Sequence, residues 1–144
     1  MSDYAKTLNN KEDLDKALLL GKCLKDIRIR TAKIKNANFD ESNFSSSYLF
    51  NSEISDCCFR NVNFKNSKFL KCTFNNCDFT KVNFTGIEIK DCIFNNCDFT
   101  DSNLSLETIK EIELNNCELG FKTIAISSKD YEEFLKFKNN QAKL

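Results

Sequence analysis

A large apolar residue stands at every fifth position of this chain, and this period constrains the fold more than any other feature of the sequence. The series runs from Leu24 to Ile124 and contains only Phe, Leu and Ile at its 21 positions. In a chain with 41% hydrophobic residues, such a run would arise by chance on the order of once in 10⁸ trials. A helix repeats every ~3.6 residues and a strand every ~2, so a step of five would drift around either element. An ordinary helix or strand therefore does not explain the pattern.

The residue two positions before each large one is small over most of the chain. From Ala32 to Ser102 these positions carry Ala, Ser, Cys or Val, and Ile87 is the bulkiest. One large and one small inward residue in each five describe a chain that turns a corner every five residues. Four corners close a square, so one coil takes twenty residues and adjacent coils hydrogen-bond at the strand spacing of about 4.8 Å. The heptapeptide "FNNCDFT" at 74–80 and 94–100 then occupies the same stretch of adjacent coils.

The five-residue units resemble those of the pentapeptide-repeat proteins, whose motif is roughly Ala-(Asp/Asn)-(Leu/Phe)-X-X. Matching units are "ANFDE" at 37–41, "SNFSS" at 42–46, "VNFKN" at 62–66, "CDFTK" at 77–81, "VNFTG" at 82–86, "CDFTD" at 97–101 and "SNLSL" at 102–106. The resemblance covers about 100 of the 144 residues. It implies an all-β solenoid, a right-handed quadrilateral β-helix of about five coils with short N- and C-terminal helices. The handedness comes from the family and not from the spacing.

The extent of the five-residue repeat predicts three segments: a capping segment at 1–23, the β-helix at 24–126 and a C-terminal helix at 127–144. One irregularity is expected inside the β-helix, because Glu107 occupies a small inward position in "SLETIKEI". The capping segment favours a short helix that begins after Asn10 as its N-cap.

The C-terminal segment has an apolar face that is larger than a cap needs. Tyr131, Phe134 and Leu135 share one side of the expected helix. Because members of the resembled family commonly dimerise through one end of the solenoid, this face predicts a homodimer.

Six of the eight cysteines are interpreted as small buried hydrophobes. Cys57, Cys77, Cys97 and Cys117 fall in one inward column, and Cys72 and Cys92 fall in the next. No histidine is present to complete a zinc site, and neighbouring coils hold the cysteines too far apart for good disulfide geometry. Only Cys23 and Cys58 are expected to be reactive. A thiol or metal-binding protein remains a weaker alternative.

Composition argues against several classes of function. With no histidine and only three glycines, the sequence offers no general base, nucleophile motif or phosphate loop, so neither a catalytic site nor a cofactor or metal site is predicted. Acidic and basic residues balance at 21 each, which favours neither direct nucleic-acid binding nor attachment to a membrane. The start of the sequence has no secretion signal, so we expect a cytoplasmic protein.

When the sequence is arranged in coils of twenty residues, acidic and basic residues at outward positions fall on different sides of the square. Asp78, Asp98 and Glu118 align as an acidic column with Asp101 beside it, whereas the opposite side is basic. On that basic side Tyr48, Phe50 and Leu70 form a small apolar patch that is a candidate partner site.

Two functions remain after these steps. The first is a non-enzymatic protein–protein interaction or scaffold module whose partner is unknown. The alternative is a DNA-mimicking modulator of DNA gyrase or topoisomerase IV, because some members of the resembled family use acidic rods in this way. The neutral charge, the short rod and the lack of projecting loops depart from that type.

Overall fold

A computed structural model describes residues 23–120, the short strand at 7–8 and two exposed helical positions, Glu132 and Lys136. The residues predicted to form the apolar face of the C-terminal helix, Tyr131, Phe134 and Leu135, lie outside the described residues. So does Asn10, the predicted N-cap of the first helix.

Residues 7–8 and 23–120 contain ten strands and one helix. They are β1 (Thr7–Leu8), β2 (Arg28–Arg30), β3 (Lys33–Lys35), β4 (Tyr48–Phe50), β5 (Glu53–Ser55), β6 (Lys68–Leu70), β7 (Thr73–Asn75), β8 (Glu88–Lys90), β9 (Ile93–Asn95), α1 (Leu106–Glu111) and β10 (Glu113–Asn115). The strands form two parallel sheets, in the orders β1-β2-β4-β6-β8 and β10-β9-β7-β5-β3. These sheets are two sides of a square coil.

Strands twenty residues apart pair with each other throughout the repeat. Leu49 lies opposite Phe69 in one sheet, and Ile54 lies opposite Phe74 in the other. Isolated parallel bridges, such as those that join Asp78 to Asp98, connect the other two sides of the square. The predicted quadrilateral solenoid is therefore confirmed, although it makes about four regular turns and not five.

The corners of the square explain the five-residue period. Between residues 23 and 120, one residue in each unit outside α1 has a left-handed backbone: sixteen residues other than glycine have φ between 50° and 64°, and Gly86 has φ 71°. Eleven of the sixteen are Asn or Asp, the side chains that tolerate this conformation best after glycine. The period is thus a property of the backbone turn and not only of the core.

The residue before each large one also shapes the corner. Where it is Asn or Asp, except at Asn103, its side-chain oxygen accepts the N–H two residues later. Asn43 Oδ1 accepts it from Ser45 and Asn63 Oδ1 from Lys65, both at 2.9 Å. Several corners add a backbone bond, such as the Ser42 N–H to the Phe39 carbonyl at 3.0 Å. These bonds give the Asn/Asp position of the motif a local structural role.

The interior consists of stacked side chains. Every position of the five-residue series from Leu24 to Leu119 is buried. Phe39, Phe59, Phe79 and Phe99 stack with ring centroids 4.9, 5.0 and 5.1 Å apart and interplanar angles of 13°, 4° and 5°. Offset-stacked rings at such distances add to the free energy of burial.

The irregularity predicted around Glu107 is the helix α1. Ser105 caps it by accepting the Thr108 N–H at 3.2 Å, and the helix turns Glu107 outward while Ile109 stays buried in its column. α1 takes the place of the strand that would follow β8 one coil later. The sheet of β2, β4 and β6 therefore ends at β8. None of the helices among the described residues is long and apolar enough to cross a membrane.

At the other end, β1 extends the same sheet by pairing Thr7 with Arg28 and Leu8 with Ile29. This strand lies in the segment for which we predicted only a capping helix. Its register is offset by 21 residues and not by twenty, so the five-residue frame could not reveal it.

The buried serines provide a matched test of the interior. Ser42 Oγ is buried with no hydrogen-bond partner, whereas Ser67 Oγ donates to the Phe44 carbonyl at 2.7 Å and accepts the Ser47 N–H at 3.1 Å. We expect Ser42→Ala to raise the free energy of unfolding by up to ~1 kcal/mol, because a buried unpaired hydroxyl is removed. Ser67→Ala should lower it by ~0.5–1.5 kcal/mol, because the hydroxyl's hydrogen bonds are lost while the Ser47 N–H keeps the Phe44 carbonyl at 3.1 Å. Urea denaturation measures both, and equal losses in the two variants would contradict the interpretation.

Candidate interaction surfaces

Three side chains of every five point outward, and the coil sorts them onto four flat faces. We call the outward side of β2, β4, β6 and β8 the basic face. Its exposed cations are Arg28, Arg30, Lys68, Lys71 and Lys90. The face that follows Phe39, Phe59, Phe79 and Phe99 carries the acidic column, defined as Asp78, Asp98 and Glu118. The two charged faces predicted from the sequence are therefore on opposite sides of the square.

The predicted apolar patch is assembled on the basic face. Phe50 lies directly opposite Leu70 in the parallel register, and the rings of Tyr48 and Phe50 stack with centroids 6.1 Å apart at 7°. All three side chains are half-buried although they point outward. The guanidinium of Arg30 lies 5.8 Å from the Phe50 ring centroid, which adds a cation–π contact that sequence periodicity could not show.

Ion pairing leaves most of the charge of the basic face available. Lys68 Nζ lies 3.3 Å from Glu88 Oε2, but both side chains are more than half exposed. Such an ion pair contributes little to the free energy of unfolding, because solvent screens it. A shallow depression lies next to it at the edge of the face. It is lined by Asp26, Arg28, Arg30, Ser46, Ser47, Tyr48, Asn66 and Lys68. The sequence contained no signal for this depression, because its residues come from three different coils.

The acidic column has a structural role that the sequence did not reveal. Asp78, Asp98 and Glu118 are joined by parallel bridges, as predicted. However, Asp78 Oδ1 and Asp98 Oδ1 each accept the N–H two residues later at 2.9 Å and also bond the Thr hydroxyl there, at 2.6 Å for Asp98. Asp101, beside the column, is exposed at a left-handed corner. The aspartates therefore help to form the corners, whatever else they bind.

Arg60, a basic residue next to the acidic column, is already paired with an acidic residue. Arg60 bonds Asp40 Oδ2 through Nε at 3.0 Å and Nη2 at 2.7 Å, and its backbone N–H donates to Asp40 Oδ1 at 2.8 Å. These hydrogen bonds and the carboxylate charge raise the pKa of Arg60. The pair joins adjacent coils without adding net charge to the face.

Asparagine ladders cover parts of the remaining surface. Asn95 Nδ2 donates to Asn75 Oδ1 at 2.9 Å, and Asn115 Nδ2 donates to Asn95 Oδ1 at 2.8 Å. A parallel ladder joins Asn116 to Asn96 at 2.7 Å. The repeated asparagines therefore have a structural role, because their amides bond from coil to coil.

The cysteine columns belong to the interior. Cys57, Cys72, Cys77, Cys92 and Cys97 are buried, Cys117 and Cys58 are half-buried, and Cys23 is exposed; all eight are free thiols. Their Sγ atoms lie near backbone carbonyls, as for Cys117 and the Phe94 oxygen at 3.2 Å. Among residues 23–120, no three Cys, Asp or Glu come together as a metal site.

Burial changes how these thiols ionise. It raises the pKa of Cys57 to about 12. The pKa of Cys97 is also raised, because its thiol hydrogen-bonds with those of Cys117 and Cys77 and is buried between them. Thiolates are thus disfavoured at these positions, which makes them poor nucleophiles at neutral pH.

The sequence matches the profile of pentapeptide repeats in eight copies, over residues 30–66, 57–96 and 67–105. No curated protein matches it. Among solved structures, it resembles a pentapeptide repeat protein from the cyanobacterium Cyanothece 51142, with 18% identity and a TM-score of 0.42, over 72% of this chain and 66% of that one. The chain thus spans just under two thirds of that protein.

Two further solved structures are similar to the chain. One is QnrB1, a plasmid-mediated fluoroquinolone resistance protein, with 16% identity and a TM-score of 0.36 over 81% of this chain and 68% of that one. The other is HetL, a pentapeptide repeat protein involved in heterocyst differentiation regulation in the cyanobacterium Nostoc, with 11% identity and a TM-score of 0.36 over 71% and 54%.

The raised pKa of Cys57 predicts a loss of stability at alkaline pH. Above pH ~9 the unfolded chain releases this proton while the folded chain keeps it up to about 12, so the free energy of unfolding falls as pH rises. The contribution is fully present below pH ~9 and is lost at up to ~1.4 kcal/mol per pH unit above it. Urea denaturation at neutral and alkaline pH should show a shallower fall for Cys57→Ala than for the native chain. Cys58→Ala is the matched control, and an equal change in both variants would contradict the assignment.

Proposed function

Because the chain belongs to the pentapeptide-repeat family, we propose that it is a non-enzymatic module that binds a protein partner through its basic face. The observation that carries the proposal is the apolar patch of Tyr48, Phe50 and Leu70, which points away from a complete core. The core needs none of these three side chains, since each strand already buries its own central residue. Aromatic residues beside arginine are the composition typical of interface centres.

The geometry of the face suits a preformed interface. The strands beneath the patch are held by parallel pairing on both sides, since β4 and β6 lie between β2 and β8. Their central residues, Leu49 and Phe69, are fully buried. A surface fixed in this way loses little conformational freedom on binding, which lowers the entropic cost of association.

Site-specific cross-linking in the native cell tests this proposal. The photoreactive analogue p-benzoylphenylalanine in place of Phe50 should give a discrete cross-linked protein, because the patch contacts the partner. The same analogue in place of Ile93 is the matched control, since Ile93 is also apolar, outward and half-buried, but on the sheet of β3, β5, β7 and β9. Cross-links of equal yield at both positions, or none at position 50, would overturn the proposal.

The DNA-mimicking function is a second candidate, and the in-register acidic column is the observation that favours it. Its charge density is the weakness of this candidate. One carboxylate per coil gives a negative charge every ~4.8 Å, whereas duplex DNA carries one per ~1.7 Å of axis. Lys81 lies beside the column and reduces its net charge further. The interaction module is therefore the better supported function.

A supercoiling assay with DNA gyrase tests the second candidate. If the column mimics phosphates, the native chain inhibits supercoiling or protects gyrase from a fluoroquinolone, and the triple variant Asp78→Asn, Asp98→Asn, Glu118→Gln loses the effect. Asparagine keeps the side-chain oxygen that the corner needs, so this variant should fold. Glu53→Gln with Asp56→Asn is the control, because both acids are exposed elsewhere on the coil. No effect of the native chain at high molar excess excludes the candidate.

The homodimer and the cytoplasmic location stay predictions of the sequence. The dimer was assigned to Tyr131, Phe134 and Leu135, which lie outside the described residues.

A further inference from the structure

The cations of the basic face lie at both ends of the apolar patch. Along one row of outward positions the order is Arg30, Phe50, Leu70 and Lys90, with each residue opposite the next in the parallel register. The row beside it begins with Arg28, Tyr48 and Lys68. An apolar centre is therefore flanked by positive charge along the solenoid axis, over about 14 Å for three coil steps.

We propose that the basic face binds an acidic amphipathic helix of a partner protein, about ten residues long and aligned with the solenoid axis. This proposal rests on the proposed function and adds the chemistry of the partner. A helix of ten residues spans ~15 Å, which matches the distance between the terminal cations of the row. Two apolar residues three apart rise by ~4.5 Å, close to the single coil step from Phe50 to Leu70. Acidic residues near both ends of the helix then meet Arg30 and Lys90.

The same features disfavour a nucleic acid as the ligand. Base stacking needs an open aromatic face, but the Phe50 ring already contacts Tyr48 and the Arg30 guanidinium. The third member of the patch, Leu70, offers no stacking surface.

A second copy of the chain fits less well than a separate partner. Its acidic column matches the charge, but the residues two positions after its aspartates are Thr80 and Thr100, so the patch would meet no large apolar side chain there. Its C-terminal stretch "DYEEFL" at 130–135 has the apolar residues and the acids, but Lys136 and Lys138 follow directly. That helix would place positive charge against a cation at one end of the row.

Fluorescence anisotropy with the full chain tests the inference. The probe is a labelled synthetic helix of twelve residues, with Phe and Leu three residues apart at its centre and Glu towards both ends. We expect saturable binding that weakens with salt. It should become at least about tenfold weaker in Arg30→Glu, which replaces a terminal cation by an acid, and in Leu70→Ser, which removes a central apolar contact. Lys35→Glu and Ile93→Ser are the matched controls on the neighbouring sheet and should change the affinity by less than about twofold.

Four further probes separate the other outcomes. A peptide with Lys in place of each Glu and a peptide with Ser in place of Phe and Leu should bind at least about tenfold more weakly than the acidic helix. If the Lys peptide binds as tightly as the acidic helix and Leu70→Ser abolishes that binding, the partner is not acidic. The proposed interaction face is then still correct. Tighter binding of an oligothymidylate, or of a peptide that copies residues 127–144, would assign the face to nucleic acid or to a second copy. No binding of the acidic helix, or loss in the control variants, would also overturn the inference.

Discussion

A left-handed corner at every fifth residue is the constraint on which this structure depends. Each such residue other than glycine costs roughly 1–2 kcal/mol in an isolated chain, less for Asn and Asp. The cost is offset because the corner N–H groups bond the next coil, as Lys71 does to the Lys90 carbonyl at 3.0 Å and Lys81 to the Thr100 carbonyl at 2.9 Å. Corner and coil stacking therefore stabilise each other, and neither would persist alone.

Closing the square at five residues per side leaves the interior narrow. Each side contributes one large and one small side chain, and stacking makes like residues neighbours, as in the Phe39 to Phe99 column and in the Cys57 to Cys117 column. The thiols and hydroxyls inside are used for packing and for bonds to carbonyls. Side chains therefore fill the interior of the described coils, and the function proposed above uses an outer face.

The outer faces differ in how many of their side chains already make hydrogen bonds or ion pairs that stabilise the coil. On the acidic face, Asp78 and Asp98 bond the corner that follows them, and Asp40 pairs with Arg60. On the basic face, the half-buried apolar patch satisfies no requirement of the corner or the core. This difference, more than the sign of the charge, favours the basic face as the interaction surface.

The sequence by itself determined the solenoid, its coil length, the stacked columns and the side of the square on which each charge lies. It could do so because these features repeat every five or twenty residues, and repetition averages out local exceptions. Only the tertiary structure decided the features that occur once: the off-frame strand at Thr7–Leu8, the helix at Leu106–Glu111 and the stacking of Arg30 on Phe50. Their cause is physical, since a single register shift, a helix cap or a side-chain rotamer depends on neighbours from other coils and leaves no period in the sequence.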